Sequence, residues 1–150
     1  MTIIRSEREM REFGAHIGAN LMGGEVIQLV GDVGAGKTTL VKGIAQGLEI
    51  TDDIQSPSYT ISRVYDARDK LRLAHYDFYR LNEAGVMTYE FEEDVNDPST
   101  VTIIEWAEVV KGVLPPNHVT ISIRATTETE RDVTVDDSHD VLSLQQEGNV

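Results

Sequence analysis

The sequence predicts an α/β fold: a single three-layer domain of the P-loop NTPase kind, built on a mixed parallel and antiparallel sheet. Three observations predict it. The glycine-rich string Gly31-Asp32-Val33-Gly34-Ala35-Gly36-Lys37-Thr38 follows an apolar run and opens a stretch with helical periodicity. A second apolar run, residues 101–104, ends on an acid, Glu105. Two pairs of strand-like segments, 60–66 with 71–76 and 118–124 with 131–135, are each joined by a short polar turn, which is the pattern of antiparallel neighbours.

Taken in order, Ser6-Glu7-Arg8-Glu9 has the spacing of a helix capping box. Met10, Phe13, Ile17 and Leu21 then fall on one helical face, and Gly23-Gly24 supplies a stop. Residues 26–30, Val-Ile-Gln-Leu-Val, form a short apolar run between glycines, as expected of a strand buried within a sheet. Leu40, Val41, Ile44, Ala45 and Leu48 repeat at helical spacing, so residues 31–36 are the turn between that strand and a helix. The segments at 60–66 and 71–76 flank Ala67-Arg68-Asp69-Lys70 as a hairpin. Residues 82–99 are acidic and weakly periodic, with a helix expected around 86–91 and a loop through Asn96-Asp97-Pro98. Residues 101–104 make a second buried strand, 107–113 a short helix stopped by Pro115-Pro116, and the last two strands lie around the polar turn 126–130. Residues 1–135 are thus expected to form one P-loop domain and residues 136–150 a polar tail.

Composition narrows the partners. The chain has 150 residues, 40% of them apolar, and 13 Lys and Arg against 26 Asp and Glu for a net charge of -13. A surface this acidic repels nucleic acid phosphates, so tight direct RNA or DNA binding is not expected. With no cysteine, disulfides, thiolate catalysis and cysteine zinc sites are excluded, and scattered His16, His118 and His139 suggest no metal site. No apolar stretch approaches the roughly 18 residues of a membrane span, and the N-terminus lacks the apolar segment of a secretory signal, which reads as a soluble cytoplasmic protein with no membrane partner.

The chemistry lies in the glycine-rich turn. Glycines let successive backbone N–H groups of Asp32, Val33, Gly34, Ala35 and Gly36 face phosphate oxygens, and the positive end of the following helix adds to that attraction. Lys37 is suited to the β- and γ-phosphates, Thr38 to Mg2+, and Thr39 extends the phosphate-facing stretch. In such sites a second Mg2+ ligand stands at the end of a neighbouring buried strand, where Glu105 is the candidate. Neither an Asn-Lys-x-Asp guanine reader nor an Asp-x-x-Gly switch occurs, so ATP is favoured over GTP.

Three further strings accompany the P-loop: Ser56-Pro57-Ser58-Tyr59-Thr60, His75-Tyr76-Asp77-Phe78-Tyr79-Arg80-Leu81, and Ile104-Glu105-Trp106. Together, over about residues 6–135, they resemble the TsaE (YjeE) family of bacterial P-loop ATPases. The resemblance implies a magnesium-dependent ATPase that supports the TsaD and TsaB proteins in threonylcarbamoylation of the adenosine beside the tRNA anticodon, with tRNA handled mainly by that complex. It also implies that Ser56, Ser58, Tyr59 and Thr60 belong to a switch-like loop, that Asp77 is an acid near the metal and the attacking water, and that Glu105 is a magnesium ligand. The chain departs from the usual family pattern at Ser58, where Thr is common, and at Ala107, where Pro follows the Glu-Trp pair. The residues alone leave His75 as a strand residue, and Tyr76, Tyr79 and Trp106 as packing groups. Two other readings stay open: a small-molecule kinase, although 82–99 lacks the arginines of a kinase lid, and a nucleotide-gated binding protein with negligible turnover.

Overall fold

The computed structural model describes residues 1–32, 34–57, 60–81, 85 and 87–142. Among them are seven strands: β1 (Thr2–Ile4), β2 (Val26–Val30), β3 (Ser62–Asp66), β4 (Arg72–Asp77), β5 (Thr100–Glu105), β6 (Val119–Ala125) and β7 (Arg131–Asp136). They form one sheet in the order β1-β7-β6-β2-β5-β4-β3. The four inner strands β6, β2, β5 and β4 are parallel, while β3, β7 and β1 add antiparallel edges. The mixed sheet is as the sequence predicts, with antiparallel pairs at both margins. Every residue of β5 is buried, as an inner strand covered on both faces requires.

Alternation along the strands divides the core. Ile27, Leu29, Leu73, Val101 and Ile103 face α1 (Glu7–Ala19) and α2 (Lys37–Gly47). Ala74, Tyr76 and Ile104 face the opposite layer, made by Phe91 of α3 (Met87–Asn96) and by Ala107 and Val110 of a 3₁₀ helix at Ala107–Val113. No helix among the described residues is long and apolar enough to cross a membrane.

Ser6 caps α1, its Oγ accepting from the Glu9 N–H at 3.1 Å, but Glu9 reaches back to the Arg5 N–H rather than to Ser6. The helix stops at Ala19, with Asn20 as its cap, before the glycines expected to end it. There the Asn20 amide donates to the His16 carbonyl and closes the last turn. The acidic helix is also longer than expected, because tertiary contacts decide its length: Phe91 packs edge-on to Tyr76 and Phe78, and the Tyr76 hydroxyl donates to buried Asp94. Burial and the neighbouring Asp94 carboxylate hold that phenol far above its usual pKa, so it remains a donor. Val86, where the helix was expected to begin, lies outside the described residues. Strand β1 was not anticipated; its three residues are too few to show a period, and pairing with β7 is what orders them. In the segment expected as a polar tail, Leu142 is buried against the core; residues 143–150 lie outside the described residues.

Helices α1 and α2 pack backbone to backbone. A Cβ on Gly14 would stand 2.5 Å from the Leu40 carbonyl oxygen, and one on Gly18 2.1 Å from that of Ile44. From the other side, a Cβ on Gly43 would meet the Arg11 carbonyl at 2.4 Å and one on Gly47 that of Ala15 at 2.3 Å. The backbones touch because neither helix carries side chains along this line. Arg68, in the β3–β4 turn, fastens the far end of the pair. Its Nη2 donates to the carbonyls of Gly18, Ala19 and Leu21 at 2.9 to 3.0 Å, and its Nε to that of Gly47 at 3.4 Å. A cation here satisfies the open carbonyls of two helix C-termini and opposes their negative dipole ends. Arg68→Met is expected to cost about 2–3 kcal/mol, because several half-buried carbonyls lose a charged donor. Chemical denaturation measures it, and a midpoint unchanged from the parent would contradict the role.

Candidate functional site

β2 ends at Val30 and delivers residues 31–36 to the start of α2. Gly34 (φ 84°) and Gly36 (φ 113°) take left-handed backbone, which the curl of the loop demands and which other residues adopt only with strain. The loop is tied from two sides. The Ala35 N–H donates to the Asp32 carbonyl at 3.0 Å, and Arg131 on β7 donates from Nε to the Ala35 carbonyl at 2.8 Å. The chain leaves β2 with β5 on one side and β6 on the other, so the loop opens at the carboxyl ends of diverging strands, where α/β folds place ligands.

The same strand ends bring the acids in. Asp77 closes β4, Glu105 closes β5, and the two are register partners in a parallel pair. Both are about 5% exposed. Lys37, at the first position of α2, is also buried; its Nζ donates to the Gly31 carbonyl at 2.6 Å, lies 3.7 Å from Glu105 Oε1, and sits 4.7 Å from the centroid of the Trp106 ring. Trp106, the single tryptophan of the chain, holds a left-handed backbone (φ 56°) directly after Glu105, and its ring leans on Tyr79 at 4.8 Å. Both aromatic rings remain substantially exposed, so their place is the rim of the site rather than the core.

These groups line a cleft of about 460 Å³: Gly34, Gly36, Lys37, Thr38 and Thr39 form its floor, Asp77 and Glu105 one wall, and Ser56, Tyr79, Arg80 and Trp106 the rim. A second cleft of about 340 Å³ shares Gly34, Gly36 and Thr39 with the first and continues between the start of α1 (Arg5, Ser6, Glu7, Met10) and the β6–β7 turn (Glu128, Thr129, Arg131).

The donor set fits a hard cation. Two buried carboxylates and the Thr38 hydroxyl are oxygen ligands of the kind Mg2+ accepts. Among the described residues no three acids or histidines converge into a cage, so an ion here would draw most of its ligands from phosphate and water.

Of the residues expected from sequence, Gly34, Gly36, Lys37, Thr38, Thr39, Ser56, Asp77 and Glu105 meet at one cleft. Asp32 and Ala35 brace the loop, and the Thr60 hydroxyl donates to the Ser62 carbonyl at 3.1 Å instead of lining the cleft. Val33, Ser58 and Tyr59 lie outside the described residues. Sequence reasoning missed Tyr79 and Arg80 at the rim, together with three residues that touch the site's key groups. His75 is completely buried with Nε2 2.7 Å from Glu105 Oε2; its i, i+2 relation to Asp77 on one strand face was the available signal. Trp106 touches Lys37, and nothing in the sequence announces its left-handed backbone. Arg131 reaches the loop across the sheet, which no local pattern foretells.

Comparison with known proteins agrees with this architecture. Residues 4–133 match the family described as "Threonylcarbamoyl adenosine biosynthesis protein TsaE". The chain is 38% identical over 133 residues to the tRNA threonylcarbamoyladenosine biosynthesis protein TsaE of Treponema pallidum, covering 89% of this chain and 97% of that one. It is 36% identical over 115 residues to the TsaE protein of Bacillus subtilis, covering 74% and 68%. The crystal structure of YdiB from Bacillus subtilis superposes with a TM-score of 0.77 at 30% identity, over 98% of this chain and 90% of that one. From the phosphate-binding turn, the paired strand-end acids and these likenesses together, the chain belongs to the TsaE family.

Proposed function

We propose that this chain binds ATP with Mg2+ and hydrolyses it in support of tRNA threonylcarbamoyladenosine synthesis, acting with the TsaD and TsaB proteins, which mainly handle the tRNA. The observation that carries the reading is the buried Lys37–Glu105 pair beside Asp77, set at the open end of a glycine-rich loop. The triphosphate would lie in the cleft above Gly34, Gly36 and Lys37, with ribose and base extending over Thr39 into the second cleft, since the two clefts share Gly34, Gly36 and Thr39. Thr38 and Glu105 would hold Mg2+. When bound, the ion neutralises charge on the β- and γ-phosphate oxygens.

The protein's own residues then have separable tasks. The N–H groups at the start of α2 and the Lys37 ammonium meet the charge that grows on the transferred phosphoryl group. To do so Lys37 exchanges its hold on the Gly31 carbonyl and Glu105 for phosphate oxygens. Asp77, alongside Glu105, orients the attacking water by accepting its hydrogen. Ser56 lines the cleft, so the segment that begins there is within reach of a bound γ-phosphate, and a difference in its contacts between ATP- and ADP-bound states would make partner affinity depend on nucleotide state. The net charge of -13 suits a protein that leaves tRNA contact to its partners.

The test is reconstitution of tRNA threonylcarbamoylation with TsaD and TsaB, comparing the parent chain with its omission over many turnovers. Sustained modification should require the chain. If omission changes nothing, the pathway assignment fails while ATP binding, measured separately by calorimetry, is unaffected.

A further inference from the structure

His75 is a polar ring placed where an apolar one would pack. It is fully buried on β4, beside Ile103 of β5 in register, on the sheet face that carries Leu73, Val101 and Ile103. Its Nδ1 has no hydrogen-bond partner among the described residues. The contact made by the other nitrogen, Nε2, is to Oε2 of Glu105 at 2.7 Å. An ionised carboxylate carries no hydrogen, so the ring donates and Glu105 accepts. Burying an imidazole with one nitrogen unsatisfied is unfavourable, and packing alone gives no return for it.

The two oxygens of Glu105 face different partners: Oε2 meets His75 behind the strand ends, and Oε1 lies 3.7 Å from Lys37 Nζ on the cleft side. The terminal torsion of a glutamate is broad, so nothing intrinsic to the side chain fixes the carboxylate plane. A donor on one oxygen does fix it and turns the other toward the cleft. We propose that His75 is the positioning residue of Glu105, anchoring Oε2 so that Oε1 is presented to the metal ion of the nucleotide complex. This rests on the reading of Glu105 as a metal ligand. Histidines and carboxylates that orient a ligand from behind are a recurring arrangement at metal sites, and their removal weakens metal binding without touching the metal.

The test separates nucleotide binding from the part of it that Mg2+ adds. Calorimetry with the β,γ-imido analogue of ATP gives Kd in EDTA and in Mg2+, and the ratio is the magnesium gain. His75→Leu should bind the analogue in EDTA within about twofold of the parent but lose about 10- to 100-fold of the gain. His75→Gln, whose amide N–H extends toward Oε2, should keep most of the gain, whereas His75→Asn, too short to reach, should lose it. Should His75→Leu fail to fold, the glutamine and asparagine variants carry the comparison by themselves. A gain unchanged in His75→Leu, or equal in the glutamine and asparagine variants, overturns the inference. Glu105→Gln is measured in parallel: if it abolishes the gain while the His75 variants keep theirs, the His75 role alone is wrong. If Glu105→Gln itself keeps the gain, the assignment of Glu105 falls and the His75 role with it.

Discussion

Exchange of Lys37 for methionine should lower ATP turnover by about 10²- to 10³-fold, the scale on which one preorganised transition-state donor acts. The expectation needs separating from a second effect, because Lys37 is buried against Glu105 and both side chains are largely shielded from water. Removing one partner of a buried pair leaves the other charge uncompensated and destabilises by about 3–5 kcal/mol, whereas replacing both with neutral groups is often close to neutral. Lys37→Met alone therefore loses both stability and turnover. The double variant Lys37→Met with Glu105→Gln should recover the melting temperature, since a glutamine carbonyl still accepts from His75, and yet remain inactive. Steady-state hydrolysis below the melting transition reads the first quantity and thermal denaturation the second. A double variant that folds and turns over like the parent would show that this pair serves the fold and not the chemistry.

Gly18→Ala should cost about 3 kcal/mol, at the upper end of what overpacking does, and lower the melting temperature by about 6–12 °C. The sign is not obvious beforehand. In an exposed helix the same change stabilises by up to about 1 kcal/mol, because alanine surrenders less backbone entropy than glycine. Here the added carbon would lie 2.1 Å from the Ile44 carbonyl oxygen, and backbone on the facing helix has no rotamer by which to withdraw. The steric term is therefore the larger, and α2 must slide, carrying Lys37, Thr38 and Thr39 with it. Gly112→Ala is the control: a Cβ there meets nothing within 4 Å, and the change should stay within about 0.5 kcal/mol of the parent. If Gly18→Ala is as harmless as Gly112→Ala, the helices do not pack as closely as described.

Most of the framework was legible because it obeys local periods. The runs at Val26–Val30 and Thr100–Glu105 are short and rich in β-branched and apolar residues, the hairpins alternate, and the glycines of the phosphate-binding turn are demanded by backbone geometry. What escaped depends on contacts between distant segments. Strand β1 exists because β7 offers it an edge, and α3 runs to Asn96 because Phe91 and Asp94 have partners on β4 and beyond. At the site, Glu105 was legible as a strand-end acid next to a P-loop, and Asp77 only through the family resemblance of the string that contains it. The partnership of His75 with Glu105 was not, since it requires knowing that β4 and β5 are parallel neighbours and in which register. Arg68 and Arg131 donate to main-chain carbonyls, and a carbonyl carries no residue identity for a sequence to display.

The strand order also dictates when the site can come into being on the ribosome. Ile27 of β2 pairs with Ile103 on one side and with Val119 on the other, so the strand that carries the phosphate loop has no neighbour until most of the chain has been made. The α1–α2 pair can assemble early, being local in sequence, but it would do so over an unfilled sheet. Pairings this remote are slow to form and leave strand edges uncovered in the meantime. A nascent chain released before β5 would hold every residue of the phosphate loop and still lack Glu105. Nucleotide would thus bind as a ligand of the finished chain, stabilising the fold only after translation has passed β6.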